Sequence, residues 1–323
     1  MFFTALQNVL ITVFYAAPGF IVRRMGKISE EHISSLSAVL IYICTPFLEI
    51  SAFMRLEYTP RLLGEMGIYF LVSLVLQTLF IIFMFFVLGR INRGLTTRER
   101  LLGLASALGN VGFFGMPIML TVFSGYPEAA CFSSVNMLTL NILGFTVGIF
   151  GITGKREFLS LRQALINPNM LGIVIALPIY IFGIADIMPQ PLVGAINSIA
   201  AMATPICMMI LGVRVASMKL GRLLTQPKIY LFALIKLLGF PMFCFCLLYF
   251  LPLSTIVKST AVILAGMPCA AILQNFAEMY DGDAELAANL ITVSTLLSVL
   301  TIPLLTFPVS LFCFVRKNYV DLS

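Results

Sequence analysis

Charged residues are scarce in this sequence, and their scarcity excludes most soluble folds. Only 11% of the 323 residues are charged, whereas 60% are hydrophobic and the mean hydropathy is +1.04. A soluble domain carries about 25% charged residues. Long polar stretches are missing too, so no extramembrane domain is expected. The composition therefore predicts an all-α polytopic membrane protein.

Motifs for catalysis and metal binding are missing as well. The chain has a single histidine, His32, and its seven cysteines lie in apolar runs without a Cys-x-x-Cys pair. It has no His-Glu-x-x-His, no Gly-x-Ser-x-Gly and no paired intramembrane aspartates. We therefore expect no enzyme, no metal and no cofactor, and we interpret the cysteines as small buried hydrophobic side chains.

Apolar runs long enough to cross a bilayer recur along the chain. A bilayer core about 30 Å thick needs about 20 apolar residues per helix. The sequence predicts ten such spans, at 2–22, 33–53, 65–89, 100–123, 129–152, 168–187, 193–213, 228–251, 259–280 and 286–314. The first is expected to be a retained helix rather than a signal peptide, because Arg23 and Arg24 follow it instead of preceding it.

Lysine and arginine cluster on one predicted side of the membrane. Fourteen lie in loops 1–2, 3–4, 5–6 and 7–8, against five on the opposite side. The positive-inside rule then predicts a plasma or inner membrane protein with both termini extracytoplasmic. The net charge of +6 needs no nucleic acid to explain it. Lys236 lies inside span 8, and its side chain is expected to reach the inner surface.

Proline positions repeat between two halves of the chain. Spans 1, 2 and 4 contain Pro18, Pro46 and Pro117. Spans 6, 7 and 9 contain Pro178, Pro205 and Pro268, which follow the first three by 160, 159 and 151 residues respectively. Because each half has an odd number of spans, the second half must be inverted. The predicted domains are a first five-helix repeat (1–152), a short cytoplasmic linker (153–167) and an inverted second repeat (168–323).

Glycine followed by proline predicts that spans 4 and 9 are broken helices. The tripeptide Gly115-Met116-Pro117 recurs as Gly266-Met267-Pro268. Half-helices that begin at the two prolines would direct positive dipole ends and freed backbone groups at an anionic group, most simply a carboxylate. Such paired breaks mark the binding site of secondary transporters. The predicted substrate-binding residues are Asn110, Gly112, Gly115, Met116, Pro117, Asn141, Gly266, Met267, Pro268 and Gln274.

Other interpretations of these residues stay open. The glycines also suit close helix packing. Glu278 and Gln77 are candidate coupling groups, but Glu278 can equally be an interfacial acid and Gln77 an interhelical hydrogen-bonding residue. Glu49 lies close to the outer end of span 2 and is a further ionisable group inside a span.

The motifs resemble those of the auxin efflux carrier family of bacterial and plant transporters. The matching pieces are Pro-Gly-Phe-Ile-Val-Arg-Arg at 18–24, Gly-Asn-Val-Gly-Phe-Phe-Gly-Met-Pro at 109–117, and the stretches 267–280 and 294–303. The resemblance implies two inverted five-helix repeats with crossed helices 4 and 9, related to bile-acid symporters and sodium/proton antiporters. It implies a panel of spans 1, 2, 6 and 7 and a core of spans 3–5 and 8–10. It also implies organic anion substrates such as auxin, malonate or malate, contacted at Asn110 and at the crossing of Pro117 and Pro268.

The resulting prediction is an elevator-type secondary transporter of a small organic anion. An inside-negative potential is worth about 2.3 kcal/mol per charge per 100 mV, so anion efflux can run on it alone. The bile-acid symporters carry an acid at the crossing where this chain has Pro268-Cys269-Ala270, so protons are favoured over sodium as a coupling ion. The alternative is a non-transporting membrane sensor on the same scaffold, and a homodimer is left open.

Overall fold

The computed structural model of the chain describes residues 2–153, 162, 166–217, 226–280 and 282–320, without the side chains at 30, 31 and 313–320. Within these residues the protein is helical, and its extended pairing is confined to one isolated antiparallel bridge between Gly109 and Cys269. Most of the predicted linker at 153–167, and the basic residues Lys219 and Arg222, lie outside the described residues.

The α-helices are numbered in chain order over the described residues. They are α1 (Phe2–Phe14), α2 (Ala16–Arg24), α3 (Glu30–Ala38), α4 (Thr45–Phe53), α5 (Pro60–Ile91), α6 (Thr97–Ala107), α7 (Met116–Val122), α8 (Glu128–Leu143), α9 (Ile149–Thr153), α10 (Pro168–Ile181), α11 (Ile184–Ile187), α12 (Gln190–Ala201), α13 (Ala203–Ser217), α14 (Pro227–Leu234), α15 (Phe240–Tyr249), α16 (Thr255–Ala265), α17 (Ile272–Met279) and α18 (Ala284–Val320). Turns of π-helix at Val39–Cys44, Val111–Gly115, Gly144–Gly148 and Ile235–Gly239 extend or join some of them.

Seven helical segments of the described chain are long and apolar enough to cross a membrane. They are Phe2–Arg24, His32–Phe53, Pro60–Ile91, Glu128–Thr153, Gln190–Ser217, Pro227–Tyr249 and Ala284–Phe312. The protein is therefore a polytopic membrane protein. Three shorter apolar helices, Val111–Val122, Pro168–Ile181 and Thr255–Ala265, fall within predicted spans 4, 6 and 9. The ten-span count and the inverted repeat remain predictions, because these three helices are shorter than a bilayer crossing.

Local side-chain bonds decide where two of the long helices begin. Thr59 precedes Pro60 and accepts a hydrogen bond from the N–H of Leu62 at 3.2 Å, so α5 starts at the proline. Thr96 and Glu99 form a capping box, in which the Glu99 carboxylate accepts from the Thr96 N–H at 2.7 Å. These bonds satisfy N–H groups that a helix start leaves without intrahelical partners.

Glycines bring pairs of helices into backbone contact. A Cβ atom on Gly212 would lie 1.9 Å from the carbonyl oxygen of Ala16, so α13 touches the backbone of α2. A Cβ atom on Gly172 would lie 2.8 Å from the Cα of Pro46, so α10 lies directly against α4. Small residues permit this approach in membranes. With α12 also packed on α4, helices α1–α4 and α10–α13 form a group that we term the panel.

A second group of helices packs around α8 and α18. Helix α5 contacts α6 and α8, while α16 contacts α8, α15 and α18. We term α5–α9 and α14–α18 the core. The panel meets the core where α1 contacts α7 and α18, and where α4 and α10 contact α8. This boundary, termed the seam, passes along α7 and therefore along one of the two interrupted helices.

The cysteines largely follow the sequence interpretation. Five of the six cysteines whose side chains are described are buried, and none of the six is in a disulfide. Cys246 is exposed, so the expectation of a buried side chain is wrong there. It lies on α15 near Met242 and Tyr249, which are also exposed, and this face of α15 is thus turned away from the packed interior.

Candidate substrate site at the helix crossing

Two interrupted helices meet backbone to backbone. Helix α6 ends at Ala107, and Leu108 is extended (φ −78°, ψ 119°). The N–H of Asn110 donates to the carbonyl of Pro268 at 2.7 Å, and the N–H of Ala270 donates to the carbonyl of Leu108 at 3.1 Å. Lipid cannot satisfy backbone groups that a helix break frees. The antiparallel bridge therefore lets each break satisfy the other.

The first break lies before its tripeptide, whereas the second, between Ala265 and Ile272, contains Gly266-Met267-Pro268. The first is at residues 108–110, because a π-helical turn from Val111 to Gly115 runs directly into α7, with Pro117 in its first turn. Proline is tolerated in a first turn, where its missing N–H costs no helical bond. The second half of span 9, α17, begins at Ile272. The prediction that the half-helices begin at Pro117 and Pro268 is therefore wrong, although the two broken regions do contact each other.

Lys236 is the charged group nearest the crossing among the described residues. Its side chain is 0% exposed, and its Nζ donates to the carbonyl of Ala265 at 2.6 Å. The Nζ lies 4.9 Å from the centre of the Phe240 ring and 3.0 Å from where a Cβ atom on Gly109 would be. The expectation that Lys236 reaches the membrane surface is therefore wrong. Its ammonium group instead closes the C-terminal end of α16, where the helix dipole favours a cation.

A cavity of about 300 Å³ lies at the seam beside α7. Its core wall includes Met116 and Pro117, and its panel wall includes Arg55. The remaining lining residues are Asn8, Ile11, Thr12, Tyr15, Leu48, Ser51, Ala52, Leu120, Thr121, Asn197, Ala200, Ala201, Thr204 and Pro205. Among these described lining residues Arg55 alone is charged, so the cavity has a positive character suited to an anion.

Three predicted glycines serve packing. A Cβ atom on Gly112 would lie 2.5 Å from the Sδ of Met137, and one on Gly115 would lie 2.8 Å from the Cδ2 of Leu264. A Cβ atom on Gly266 would lie 2.1 Å from the Cδ1 of Leu305. The structure thus gives these glycines the contacts that the packing interpretation requires. None of the three lines the 300 Å³ cavity.

Five predicted residues lie at the crossing or the seam. Asn110 is 8% exposed, and its side chain interacts with the Cys207 thiol of the panel. Met267 is fully buried behind Pro268, whose carbonyl belongs to the bridge. Met116 and Pro117 line the cavity, as stated above. The crossing and the cavity are thus neighbouring but separate places, linked by the segment from Asn110 to Pro117.

Gln77 belongs to a hydrogen-bonded group inside the core. Its Nε2 donates to Asn136 Oδ1 at 3.0 Å and to Thr139 Oγ1 at 2.9 Å, and Asn136 donates to the Tyr69 hydroxyl at 3.0 Å. The arrangement matches the interhelical interpretation of Gln77. A cavity of about 10 Å³ lies between this group and Gly109, with room for about one water molecule. Asn141, on the same helix as Asn136, is 2% exposed, and its Nδ2 has no hydrogen-bond acceptor in the described part of the chain.

Gln274 and Glu278 lie one turn apart on α17. Gln274 Nε2 donates to Glu278 Oε1 at 2.8 Å, and Arg214 Nη1 lies 3.3 Å from the same oxygen. Arg214 belongs to the panel and Glu278 to the core. This pair therefore connects the two groups of helices at the side that the basic loops predict to be cytoplasmic.

The sequence interpretation missed several residues of this region. Arg55 was counted only as an outer loop cation, and Ser51 and Asn197, bonded to each other at 2.6 Å in the panel wall, were not considered. A signal for Lys236 did exist: it lies several residues inside an apolar run, too deep for the surface. No comparable signal exists for the panel residues, because helix packing alone brings them beside α7.

Comparison with known proteins supports a transporter. Residues 152–306 match the model of the family described as membrane transport protein. An uncharacterized transporter of Methanocaldococcus jannaschii is 25% identical over 311 residues, covering 92% of this chain and 96% of the relative. An uncharacterized transporter of Methanothermobacter thermautotrophicus is 24% identical over 309 residues, covering 94% and 98%. Together with the helical membrane fold, these matches support a membrane transporter whose residues 152–306 are similar to the membrane transport protein family.

Proposed function

We propose that the protein is a secondary transporter of a small organic anion bound in the cavity at the seam. The observation that carries the proposal is the charge of that cavity, in which Arg55 faces the Met116–Pro117 wall without a neighbouring carboxylate among the described lining residues. A volume of about 300 Å³ is at the small end of ligand sites. The size suits a small carboxylate.

The polar groups of the cavity fit a carboxylate. The planar guanidinium group of an arginine presents paired donors that match two carboxylate oxygens. Asn8, Thr121 and Asn197 add polar side chains around it, while Leu48 and Leu120 supply apolar surface for the rest of the substrate. The positive end of the helix Val111–Val122 lies at the crossing, so it adds electrostatic support for an anion rather than a direct contact.

Movement of the core past the panel is the mechanism that the seam favours. The polar contacts across it are few among the described residues: the Thr204 hydroxyl donates to the carbonyl of Phe113 at 2.9 Å, Arg214 pairs with Glu278, and the Asn110 side chain interacts with the Cys207 thiol. A partly exposed ion pair contributes only about 0–1 kcal/mol. Apolar surfaces make up the rest and can slide without breaking a hydrogen-bond network. The panel would stay fixed, and the core, with α7, would carry the substrate.

The direction and membrane of transport follow from the predicted topology. With the basic loops inside, the Arg214–Glu278 end faces the cytoplasm and the Arg55 cavity faces outward, in a plasma or inner membrane with both termini outside. Ten spans in two inverted repeats would supply the symmetry for alternating access. Efflux along the membrane potential, with a proton rather than sodium as any coupling ion, agrees with the lack of an acid at the crossing.

Flux into proteoliposomes tests this function. The purified protein is reconstituted and assayed with a set of labelled small monocarboxylates and dicarboxylates, under an imposed potential of either sign. We expect at least one carboxylate to be transported, with Arg55→Gln slowing its flux about tenfold or more through loss of a charged hydrogen-bonding partner. Arg61→Gln is the matched control, since Arg61 is exposed and pairs with Glu65 outside the cavity. Binding of a carboxylate without flux would instead identify a sensor, and unchanged flux in Arg55→Gln would place the substrate elsewhere.

A further inference from the structure

Glu49 is a buried acid without a partner in the panel. It lies on α4 with 0% exposure, and neither of its carboxyl oxygens has a hydrogen-bond donor among the described residues. Its stem is fixed against α10, because a Cβ atom on Gly172 would lie only 3.1 Å from the Cβ of Glu49. The stem therefore belongs to a tightly packed pair of panel helices.

The carboxyl group of Glu49 points across the seam. Its neighbours are Ser134 and Cys131 on α8, a core helix. The Ser134 hydroxyl is close enough to interact with the carboxyl group, yet it is itself buried and completes no hydrogen bond. Glu49 thus joins a fixed panel helix to the helix that would move past it.

No described basic side chain compensates a charge on Glu49. The titratable groups on the elements packed against α4 are Glu128 and Cys131 on α8, Tyr180 on α10, and Tyr42 and Cys44 in the preceding π-helical turn, while α12 has none. Arg55 follows the C-terminal end of α4 and lines the cavity. An unpaired carboxylate in apolar surroundings is unstable by several kcal/mol. The arrangement therefore requires the neutral, protonated acid.

We propose that Glu49 is a proton-binding site that couples transport to pH through the fit between α4 and α8. A proton from water forms the O–H bond on a carboxyl oxygen when α8 covers Glu49, and the proton returns to water when the core slides and uncovers it. The neighbouring residues Leu48 and Ser51 already line the cavity, so a small displacement exposes Glu49 to the same space. The coupling rests on the proposed function, whereas the proton site rests on the geometry of α4, α8 and α10 alone.

Infrared spectroscopy of the purified protein tests the proton site without any transport. At about pH 7, where an exposed glutamate is ionised, the wild type should show the carbonyl band of a protonated carboxylic acid. The band should disappear in Glu49→Gln and persist in Glu57→Gln, an exposed glutamate that follows α4. Ser134→Ala should shift the band, which assigns it to Glu49 even if Glu49→Gln does not fold. An identical band in all variants, or no band at all, overturns the proposal.

The pH dependence of flux tests the coupling. We expect wild-type flux to change about fivefold or more between about pH 5 and about pH 8. Glu49→Gln should flatten this profile, and Glu57→Gln should keep it. A wild-type profile retained in Glu49→Gln overturns the coupling, although the infrared band would still establish the proton site. If the protein shows the infrared band but transports no carboxylate, the proposed function and the coupling are both wrong. The proton site would then still be supported.

Discussion

The ammonium group of Lys236 donates to the carbonyl of Ala265 at 2.6 Å, inside the helix crossing. Ala265 is the last residue of α16 and is buried, so the bond caps a helix end inside the protein. On the other side, Gly109 lies so close that a Cβ atom there would be 3.0 Å from the same nitrogen. One cation thus contacts both interrupted helices, and it holds the end of α16 at the point where α6 and α7 separate.

We expect Lys236→Met to reduce flux about tenfold or more while the protein still folds. The loss of the bond leaves the Ala265 carbonyl without its donor, at a cost of about 1–3 kcal/mol, but removal of a buried charge offsets much of that cost. Flux and thermal unfolding in detergent measure the two effects. Lys258→Met is the matched control, because Lys258 also donates to a carbonyl, that of Tyr249, but at the exposed start of α16. Full flux in Lys236→Met would contradict a role for the cation.

Gly212→Ala should separate two panel helices. The new Cβ atom would lie 1.9 Å from the carbonyl oxygen of Ala16, which is backbone and cannot rotate away. Overpacking of this kind costs about 1–3 kcal/mol, so Tm in detergent should fall by several degrees. Gly67→Ala on α5 has nothing within 4 Å of its Cβ atom and should leave Tm unchanged or raise it. Equal Tm values for the two variants would contradict the backbone contact between α2 and α13.

Glu278→Gln should shift the position of the core without unfolding the protein. The Arg214–Glu278 pair is partly exposed, so its loss is expected to alter the balance between arrangements by at most about 1 kcal/mol, or roughly fivefold. To measure that balance, a cysteine is introduced into the cavity by Ala201→Cys in a Cys246→Ser background. The rate at which a thiol reagent labels this cysteine reports how often the cavity is open. We expect labelling to slow as the cavity closes more often.

Arg98→Gln is the control for the ion pair at the seam. Arg98 lies 3.7 Å from Asp283, and both residues belong to the core, so loss of this pair does not act on the seam. The labelling rate at position 201 should therefore equal that of the unsubstituted background. If the labelling rate falls by a similar factor in Arg98→Gln and Glu278→Gln, the effect comes from the loss of any ion pair and not from the position of the pair at the seam.

The long apolar helices were predictable because their signal is local. Twenty or so apolar residues bounded by polar ones have few other structures in a membrane. The helix that begins at Ala284 continues through Pro303 and Pro308. The point of crossing was not predictable in the same way, because it depends on which distant backbone groups pair.

The repeated tripeptide misled the prediction of that point. Gly115-Met116-Pro117 and Gly266-Met267-Pro268 are 151 residues apart, whereas the bridged residues Gly109 and Cys269 are 160 apart. The spacing of 160 equals that of Pro18 and Pro178, and Gln77 and Lys236 are 159 apart. The overall proline register was therefore the better guide to the crossing, and a local match of three residues the poorer one.

Buried charges were predicted least well. Glu49 and Lys236 were each expected near a membrane surface because isolated charges in lipid are costly. A sequence shows which helix carries a charge but not which neighbour removes it from water. Gln77 was interpreted correctly as an alternative, since its amide can bond to side chains of another helix at little cost.

Side chains take no part in the bridge that joins Leu108–Asn110 to Pro268–Ala270; its two bonds are made by peptide groups. Substitutions at these positions can therefore change which solute binds near the crossing, while the backbone bonds of the crossing persist. Relatives that retain only about a quarter of their residues in common can keep one architecture for this reason. Selection can then alter the choice of solute independently of the scaffold.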